Sequence, residues 1–185
     1  MKNKPLLLTS VMLILAISSL AQTHTIGESF GGGIVFYIYD NGQHGLIAAT
    51  NDQSEKIKWE NTTTTRTNAV KDGIGDGMNN TKLIIASQGT GNYAAYLCAN
   101  YRGGNYTDWY LPSKGELDLL YFEKQVVGGF TFADDEFPSY WSSTEFVSPN
   151  VRENSAWNES FDDNDGFQGA TYASSLLHVR AIRAF

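Results

Sequence analysis

The sequence predicts a compact single domain of the α+β class, with two to three helices and mixed, mostly antiparallel strands. Three observations lead to this prediction. Two strand-like runs flank an Asn-Gly turn at residues 41–42, a helix-start signature stands at Ser113 and Glu116, and aromatic and polar residues alternate beyond residue 130. The order of a hairpin, then helices, then a run of strands is typical of α+β domains.

The first element is a predicted β-hairpin. Residues 33–39 form a β-branched and aromatic run, and residues 45–49 form a second apolar run beyond Asp40-Asn41-Gly42. An Asn-Gly turn between two such runs is a strong local hairpin signal. Residues 60–67 are rich in Thr and Asn and show no periodicity. We therefore expect a loop there.

Helices are expected in the middle of the chain. Apolar residues within 79–87 and 93–101 predict two of them, the second ending at a glycine cap at residues 103–104. Ser113 and Glu116 form a capping box before the apolar run 117–122, which predicts a third helix.

The last third of the chain predicts antiparallel strands. Residues 140–144, 156–161 and 178–183 combine aromatic or β-branched residues with polar ones and are separated by turn-rich segments. No repeat and no linker interrupts them, so a single domain is expected.

The first 21 residues have the pattern of a secretory signal peptide. Lys2 and Lys4 precede an apolar run at 6–20, and Ser19-Leu20-Ala21 is a small-x-small cleavage signature. The run is about fifteen residues long, shorter than the roughly twenty needed to span a bilayer. We expect cleavage after Ala21 and no membrane span afterwards. A short lead at 22–30 and one domain at 31–185 would follow.

The charge of the exported chain limits the classes of partner. Of the 13 basic residues two lie in the signal peptide, whereas all 20 acidic residues lie beyond it, so the remaining chain carries 11 basic residues and a charge of −9. Nucleic-acid binding requires clustered cations and is disfavoured. A strongly anionic ligand is disfavoured too, unless the basic residues gather on one face.

Cys98 is the only cysteine, so the chain cannot form an internal disulfide bond. It lies in an apolar helical stretch, where a free cysteine packs as a small hydrophobic residue. We therefore expect Cys98 to be buried and unreactive.

Seven sequence blocks, in order, form a pattern that extends over nearly the whole exported chain. They are Gly-Gly-Gly-Ile-Val-Phe-Tyr at 31–37, His-Gly-Leu-Ile-Ala-Ala at 44–49, Asp-Trp-Tyr-Leu-Pro-Ser at 108–113 with Glu116-Leu117, Gly-Gly-Phe at 128–130, Tyr-Trp-Ser-Ser-Thr-Glu at 140–145, Ala156-Trp157 with Phe161, and Val-Arg-Ala-Ile-Arg-Ala-Phe at 179–185. Together they resemble the Lcl C-terminal domain family, named after the Legionella collagen-like protein.

The resemblance implies a bacterial surface or periplasmic domain with a C-type-lectin-like fold, distantly similar to formylglycine-generating enzymes. In the family's namesake it implies a trimeric adhesion module that recognises sulfated glycosaminoglycans. This chain departs from the namesake in having no collagen-like repeat, and its charge of −9 suits a sulfated polymer poorly. The fold and the cell-envelope location therefore carry over more directly than the ligand.

Two arginines, Arg180 and Arg183, stand in the otherwise apolar final segment. A buried arginine requires a carboxylate partner, because an unpaired buried charge costs several kcal/mol. We expect both to be internal structural residues, with Glu116 or Glu145 forming an ion pair with one of them.

Aromatic residues could serve either the core or a sugar-binding platform. Trp109, Trp141 and Trp157 occupy motif positions, where packing in the core is the expected role. Tyr106, Tyr140 and Tyr172 lie nearer to turns and are better candidates for exposed rings.

Loops of the C-terminal half, at 134–139, 147–155 and 162–169, are the expected recognition surface, since loops on a rigid scaffold usually carry binding. Their acidic residues offer oxygen ligands suited to calcium, the one possible cofactor, with solvated acidic turns as the alternative. Trp157-Asn158-Glu159 also resembles the Trp-Asn-Asp calcium signature of lectins, although the accompanying disulfides are missing. The candidate ligand-binding residues are Asp134, Asp135, Asn150, Arg152, Glu153, Asn158, Asp162, Asp163, Asp165 and Tyr172.

No catalytic motif is present in the sequence. It has no Gly-x-Ser-x-Gly nucleophile elbow, no phosphate-binding loop and no His-Glu-x-x-His zinc motif, and formylglycine generation requires a pair of cysteines. We therefore expect a non-catalytic extracytoplasmic binding or adhesion domain that recognises a glycan or another surface polymer. A structural or oligomerisation module, forming a homo-oligomer at the cell surface, is the first alternative. A polysaccharide-acting enzyme with a carboxylate pair at about 5 to 9.5 Å is the second.

Overall fold

Helices in the middle of the chain separate two groups of strands in the computed structural model, which describes residues 22–61, 66–130, 138–150, 154–162 and 166–185. The elements are β1 (Ser29–Phe30), β2 (Gly33–Tyr39), β3 (His44–Ala48), β4 (Ser54–Ile57), α1 (Gly77–Gln88), α2 (Ala94–Asn100), α3 (Lys114–Phe122), α4 (Lys124–Val127), β5 (Ser139–Phe146), β6 (Ser155–Ser160), β7 (Gln168–Tyr172), β8 (Leu177–Val179) and β9 (Ile182–Ala184). The α+β prediction is confirmed, with four helices in the described residues rather than two to three.

The first sheet contains the predicted hairpin and has the antiparallel order β1-β2-β3-β9. β2 pairs with β3 around a tight turn at Asp40–Gly42, where Asn41 has a φ of 54°. Asn tolerates this left-handed conformation better than most residues, which explains why the Asn-Gly signal located the turn correctly.

The second sheet has the order β4-β8-β5-β6-β7. β5 and β8 run parallel, with Tyr140 opposite His178, and the other pairs are antiparallel, so the predicted mixed character is confirmed. β5 bulges between Trp141 and Glu145. At the bulge the backbone forms a hydrogen bond outside the sheet: the Ser143 amide donates to the Pro112 carbonyl at 2.6 Å.

The predicted single strand at 178–183 is wrong, because the chain crosses there from the second sheet to the first. β8 ends at Val179 and β9 begins at Ile182. Between them the Ala181 carbonyl accepts from the Ala49 amide at 2.9 Å, and the Ala181 amide donates to the Gln53 side-chain oxygen. These hydrogen bonds take the place of pairing with a neighbouring strand at Ala181, so β8 ends before this residue.

Two groups of apolar side chains form the core. One includes Trp59, Ile84, Tyr93, Trp109 and Trp141 and lies under α1 and α2. The other lies under α3 and includes Phe36, Leu46, Leu117, Leu120, Tyr140 and Phe161. Trp59 was not singled out in the sequence, yet it is 1% exposed and its indole N–H donates to the Ser142 carbonyl at 2.8 Å. It joins the β4 end of the second sheet to the β5 bulge.

The predicted helix boundaries are confirmed at the start of α3 but not at the end of α2. The Ser113 hydroxyl accepts from the Glu116 amide at 3.2 Å, and the Glu116 carboxylate accepts from the Ser113 amide at 2.8 Å. The chain leaves α2 in an extended conformation at Tyr101. Gly103 and Gly104 therefore do not cap the helix, and Gly104 instead packs against the Gly32 backbone, where a side chain would clash.

Within the described ranges, the structure contains no helix that is both long and apolar enough to cross a bilayer. Residues 1–21, the predicted signal peptide, lie outside these ranges.

Candidate functional site

Six of the ten predicted ligand-binding residues lie outside the described part of the chain. They are Asp134, Asp135, Arg152, Glu153, Asp163 and Asp165. The other four are described, but they do not form one group. Asn150 is exposed in a turn after β5, and the Asp162 carbonyl accepts a hydrogen bond from the Lys124 ammonium.

Asn158 lies on the opposite side of the second sheet from the exposed aromatic residues. On β6 it is paired with Trp141 of β5 and Gly169 of β7. Since side chains alternate along a strand, Asn158 points away from the face that carries its neighbours Trp157 and Glu159. It therefore does not share a surface with Tyr172.

Three strands instead bring Phe146, Ser155 and Tyr172 into one row. Ser155 pairs with Phe146 on one side and with Tyr172 on the other, so the three side chains lie on the same face. Two strand spacings separate the aromatic residues, or about 10 Å. Ser155 is much smaller than either ring and is 4% exposed, so it forms the bottom of a slot between the two rings.

This slot belongs to a surface cavity of about 310 Å³, here called the β5–β7 cleft and lined by Phe146, Ser155, Ala170, Thr171 and Tyr172. Tyr172 is 54% exposed, Ala170 is exposed and Phe146 is partly buried. β7 is an edge strand of the sheet, so the cleft opens at its margin. The volume is at the lower end of the range typical of small-ligand sites.

Trp157 supports the cleft from the next position on the same face. Its ring meets that of Phe146 edge to face at 5.3 Å and 84°, and the Lys114 ammonium lies 3.8 Å from its ring centroid. The Lys114 amide donates to the Thr144 hydroxyl at 3.0 Å, which fixes the start of α3 beside the sheet. The arrangement holds Phe146 in place and puts one positive charge next to Trp157.

Glu159 lies further along the same face, where α3 covers the sheet. It is completely buried, and its Oε2 accepts a hydrogen bond from the side-chain amide of Gln168 at 3.1 Å. Burial raises the pKa of Glu159 to about 8; repulsion from Asp118 adds to the rise, and the Gln168 hydrogen bond opposes it. Its Oε1 has no donor among the described residues. Burial therefore favours the protonated, uncharged form of Glu159.

The Asp118 and Glu159 pair does not form a glycosidase site. Such an enzyme requires both carboxyl groups to reach the substrate, whereas the Glu159 carboxyl is enclosed between α3 and β6. This pair therefore gives no support to the polysaccharide-acting alternative.

The tryptophan expectations and the tyrosine expectations have different outcomes. Trp109 and Trp141 are buried at 2% and 0% exposure and belong to the core. The core expectation for Trp157 is wrong, because Trp157 is only partly buried beside Phe146 and Lys114. Tyr172 and Tyr106 are exposed, with the Arg183 guanidinium stacked on the Tyr106 ring at 3.8 Å. The prediction for Tyr140 is wrong: it is 0% exposed because β5 is central in its sheet and the ring packs against Phe161.

The prediction that Glu116 or Glu145 pairs with an arginine is also wrong. Both arginines are buried, but Arg180 pairs with Asp52, and Arg183 forms two 2.8 Å hydrogen bonds with Asp108. These hydrogen bonds hold the pKa of Asp108 below its ordinary value.

The two glutamates instead bind the backbone of irregular segments. Glu145 accepts from the amides of Thr67 and Asn68 at 3.0 and 2.9 Å. Glu116 accepts from the Gly75 amide at 2.9 Å and the Tyr110 hydroxyl at 3.1 Å. Burial raises the pKa of Glu116 and these hydrogen bonds oppose the rise. Each carboxylate thus satisfies loop donors that no strand or helix would satisfy.

The calcium expectation concerned mainly residues outside the described ranges. Among the described residues no group of three or more His, Cys, Asp or Glu side chains is arranged to hold a metal ion. Cys98 is buried, as expected, and burial raises the pKa of its thiol.

Neither protein-family models nor curated proteins give a match to this chain. The resemblance to the Lcl C-terminal domain family is therefore an expectation from the sequence blocks alone. The site itself, and above all the β5–β7 cleft, is the basis for proposing a function.

Proposed function

We propose that this chain is an exported, non-catalytic binding domain that recognises a glycan or another surface polymer through the β5–β7 cleft. The observation that carries the proposal is the row of Phe146, Ser155 and Tyr172, in which two rings flank a small residue at an exposed sheet margin. Sugar rings present apolar C–H faces, and aromatic rings are the side chains best suited to pack on them.

The contacts around the cleft support a recognition role. Tyr172 combines a large apolar face with a hydroxyl group that can bond to a sugar, and its strand holds the backbone rigid. Trp157 packs edge to face against Phe146 on the same face of the sheet, so that this ring is ordered before a ligand arrives. Preorganised aromatic anchors of this kind usually dominate binding free energy.

Charge favours a neutral or weakly acidic glycan over a sulfated one. Lys114 brings one ammonium group to Trp157 beside the cleft, while the exported chain carries a charge of −9. A sulfated polymer would be repelled at long range by the acidic surface.

The signal-peptide pattern and the Lcl-like blocks support an extracytoplasmic, bacterial setting at the cell surface, in the periplasm or in the medium. The same blocks support a C-type-lectin-like relationship and a role in adhesion. We propose this setting together with the function.

Glycan-array binding by the chain from Gln22 onward tests the proposal. We expect retention of at least one neutral or weakly acidic glycan. Tyr172→Ala should weaken it about tenfold, the effect of losing roughly 1.4 kcal/mol at an anchor. Tyr39→Ala is the matched control, because Tyr39 is 50% exposed on the other sheet. A run with a calcium chelator tests the cofactor expectation. No retention with or without calcium would contradict the proposal.

A structural or oligomerisation role is the second candidate, and exposed apolar residues favour it. Phe122 and Phe167 are 70% and 67% exposed, and Val126 is 47% exposed one turn beyond Phe122. Large exposed apolar groups often mark contact surfaces. Light scattering that shows a stable oligomer, dissociated by Phe122→Ser, would support this role, and a monomer would exclude it.

A further inference from the structure

A second cleft lies between the segment after β3 and the end of α2. Its residues have no part in the proposed function. It is open to solvent, has a volume of about 410 Å³ and is lined by Asn51, Asp52, Gln53, Leu97, Asn100 and Tyr101. The volume falls within the range of small-ligand sites. None of its lining residues belongs to the β5–β7 cleft.

The acidic residue of this cleft is held rigidly and its charge is compensated. The Asp52 carboxylate is 7% exposed; its Oδ1 accepts from Arg180 and its Oδ2 accepts from the Tyr140 hydroxyl at 2.7 Å. His178 Nδ1 lies 3.5 Å from the same Oδ2. Because the Arg180 guanidinium is buried beside it, the cleft has no net negative charge at this point.

The amide side chains of the cleft are oriented by backbone groups. Gln53 accepts from the Ala181 amide and donates to the Asn51 carbonyl at 2.7 Å, which fixes both ends of its amide. Asn100 donates to the Tyr96 carbonyl at 2.8 Å. Its Oδ1 accepts no hydrogen bond from the described residues, so this exposed side chain offers an acceptor to a ligand at the cleft.

Asn51 adds a second acceptor of the same kind. Its amide nitrogen donates to the Thr50 hydroxyl at 3.2 Å, and in the described part of the chain its Oδ1 has no donor. Both acceptors require a ligand that donates hydrogen bonds, which means hydroxyl or ammonium groups.

The remaining wall of the cleft is apolar. Leu97 and Tyr101 lie at the end of α2, both partly buried, and the Tyr101 ring is fixed edge to face against Trp109 at 5.0 Å. No Lys or Arg is among the six lining residues, so an anionic ligand would lack a partner. An ammonium ligand would lack a net countercharge, because Asp52 is already paired.

We propose that this cleft, the Asn51–Asn100 cleft, binds an uncharged saccharide unit. Amide acceptors and apolar side chains that line one cleft match a ligand with hydroxyl groups on its edge and C–H groups on its face. The inference does not depend on the β5–β7 cleft, although the ligand class is related. If both clefts bind, the domain has two separate contacts for one polymer.

The experiment measures binding of neutral glucose, mannose, galactose and N-acetylglucosamine oligosaccharides by saturation-transfer NMR and titration calorimetry. It uses the Tyr172→Ala protein, in which the β5–β7 cleft is impaired. We expect one neutral oligosaccharide to bind this protein, and added Asn100→Ala to weaken that binding about five- to tenfold. Asn79→Ala, an exposed asparagine of α1, is the matched control and should have no effect.

The outcomes separate the two proposals. No neutral oligosaccharide binding to Tyr172→Ala, or binding that Asn100→Ala leaves unchanged, would overturn the Asn51–Asn100 cleft while leaving the β5–β7 cleft intact. Binding sensitive to Asn100→Ala but not to Tyr172→Ala would support this cleft, while the β5–β7 cleft is judged separately by the loss that Tyr172→Ala causes on the glycan array. Heparin and spermine serve as charged probes. Binding of either that Asn100→Ala reduces would overturn the assignment to an uncharged ligand. Asn100 is exposed, so the variant is expected to fold, which a thermal melt verifies.

Discussion

Asp52 and Arg180 form a buried ion pair at the point where the chain crosses from one sheet to the other. The guanidinium Nε lies 2.5 Å from Asp52 Oδ1, and the other nitrogens donate to the carbonyls of Ala49, Gly128 and Gly129. One side chain thus joins the segment after β3, the segment after α4 and the crossover. Asp52 of this pair also lines the Asn51–Asn100 cleft.

Removing the acid of this pair should destabilise the protein severely. Asp52→Ala leaves Arg180 buried without a countercharge, and we expect a loss of about 3 to 5 kcal/mol in the free energy of unfolding. Asp108→Ala is the comparison, since that carboxylate is 43% exposed and water can replace it; we expect a loss of about 1 kcal/mol or less. Urea denaturation measures both. Equal losses of unfolding free energy in the two variants would contradict the claim that Arg180 depends on Asp52 as its buried countercharge.

Stability should fall with rising pH because of Glu159. Its pKa rises from 4.5 in the unfolded chain to about 8 in the folded protein. The folded state therefore holds the proton more tightly, and this stabilisation is complete below pH 4.5 and lost as pH rises to 8.

Glu159→Gln should remove that part of the pH dependence. Relative to wild type, the variant should gain stability steadily between pH 4.5 and 8. Taking the difference between the two proteins cancels the contribution of Glu116, whose pKa is also raised. Denaturation midpoints measured across this range provide the test, with exposed Glu55→Gln as the control. A constant difference between Glu159→Gln and wild type would mean that folding does not raise the pKa of Glu159.

The capping box should contribute measurably to folding. Ser113→Ala removes the acceptor of the Glu116 amide and the donor to the Gly73 carbonyl at 2.7 Å. A loss of about 1 to 2 kcal/mol in the free energy of unfolding is expected. Ser174→Ala, in an exposed turn, should change it little. Indistinguishable midpoints for the two variants would count against the cap.

Cys98 should be inert in the folded protein. It is completely buried in the core group under α1 and α2, and burial raises the pKa of its thiol, so the reactive thiolate is scarce. An aromatic disulfide reagent should titrate one thiol in denaturant and none in native buffer. Rapid reaction of the native protein would contradict this packing.

Local signals predicted the elements that local forces determine. The Asn41-Gly42 turn and the Ser113 and Glu116 capping box each lie within a few residues, and both are present as predicted. The continuous strand at 178–183 was wrong because alternation along the chain cannot show that two halves join different sheets. Register decides that, and register depends on distant residues.

The site was only partly predictable for the same reason. Tyr172 was predicted as an exposed ring from its nearness to a turn, but Phe146 carried no signal. Its position beside Ser155 follows from the β5 bulge, which shifts the register between Trp141 and Glu145. Arg180 and Asp52 are 128 residues apart in the chain, so no spacing rule could pair them.

Binding of the chain from Gln22 onward to a glycan array, compared between wild type, Tyr172→Ala and Tyr39→Ala, tests the central proposal most directly. We expect wild type and Tyr39→Ala to retain the same neutral or weakly acidic glycan with equal affinity and Tyr172→Ala to bind it about tenfold more weakly. Equal binding by all three proteins, or binding by none, would contradict recognition through the β5–β7 cleft.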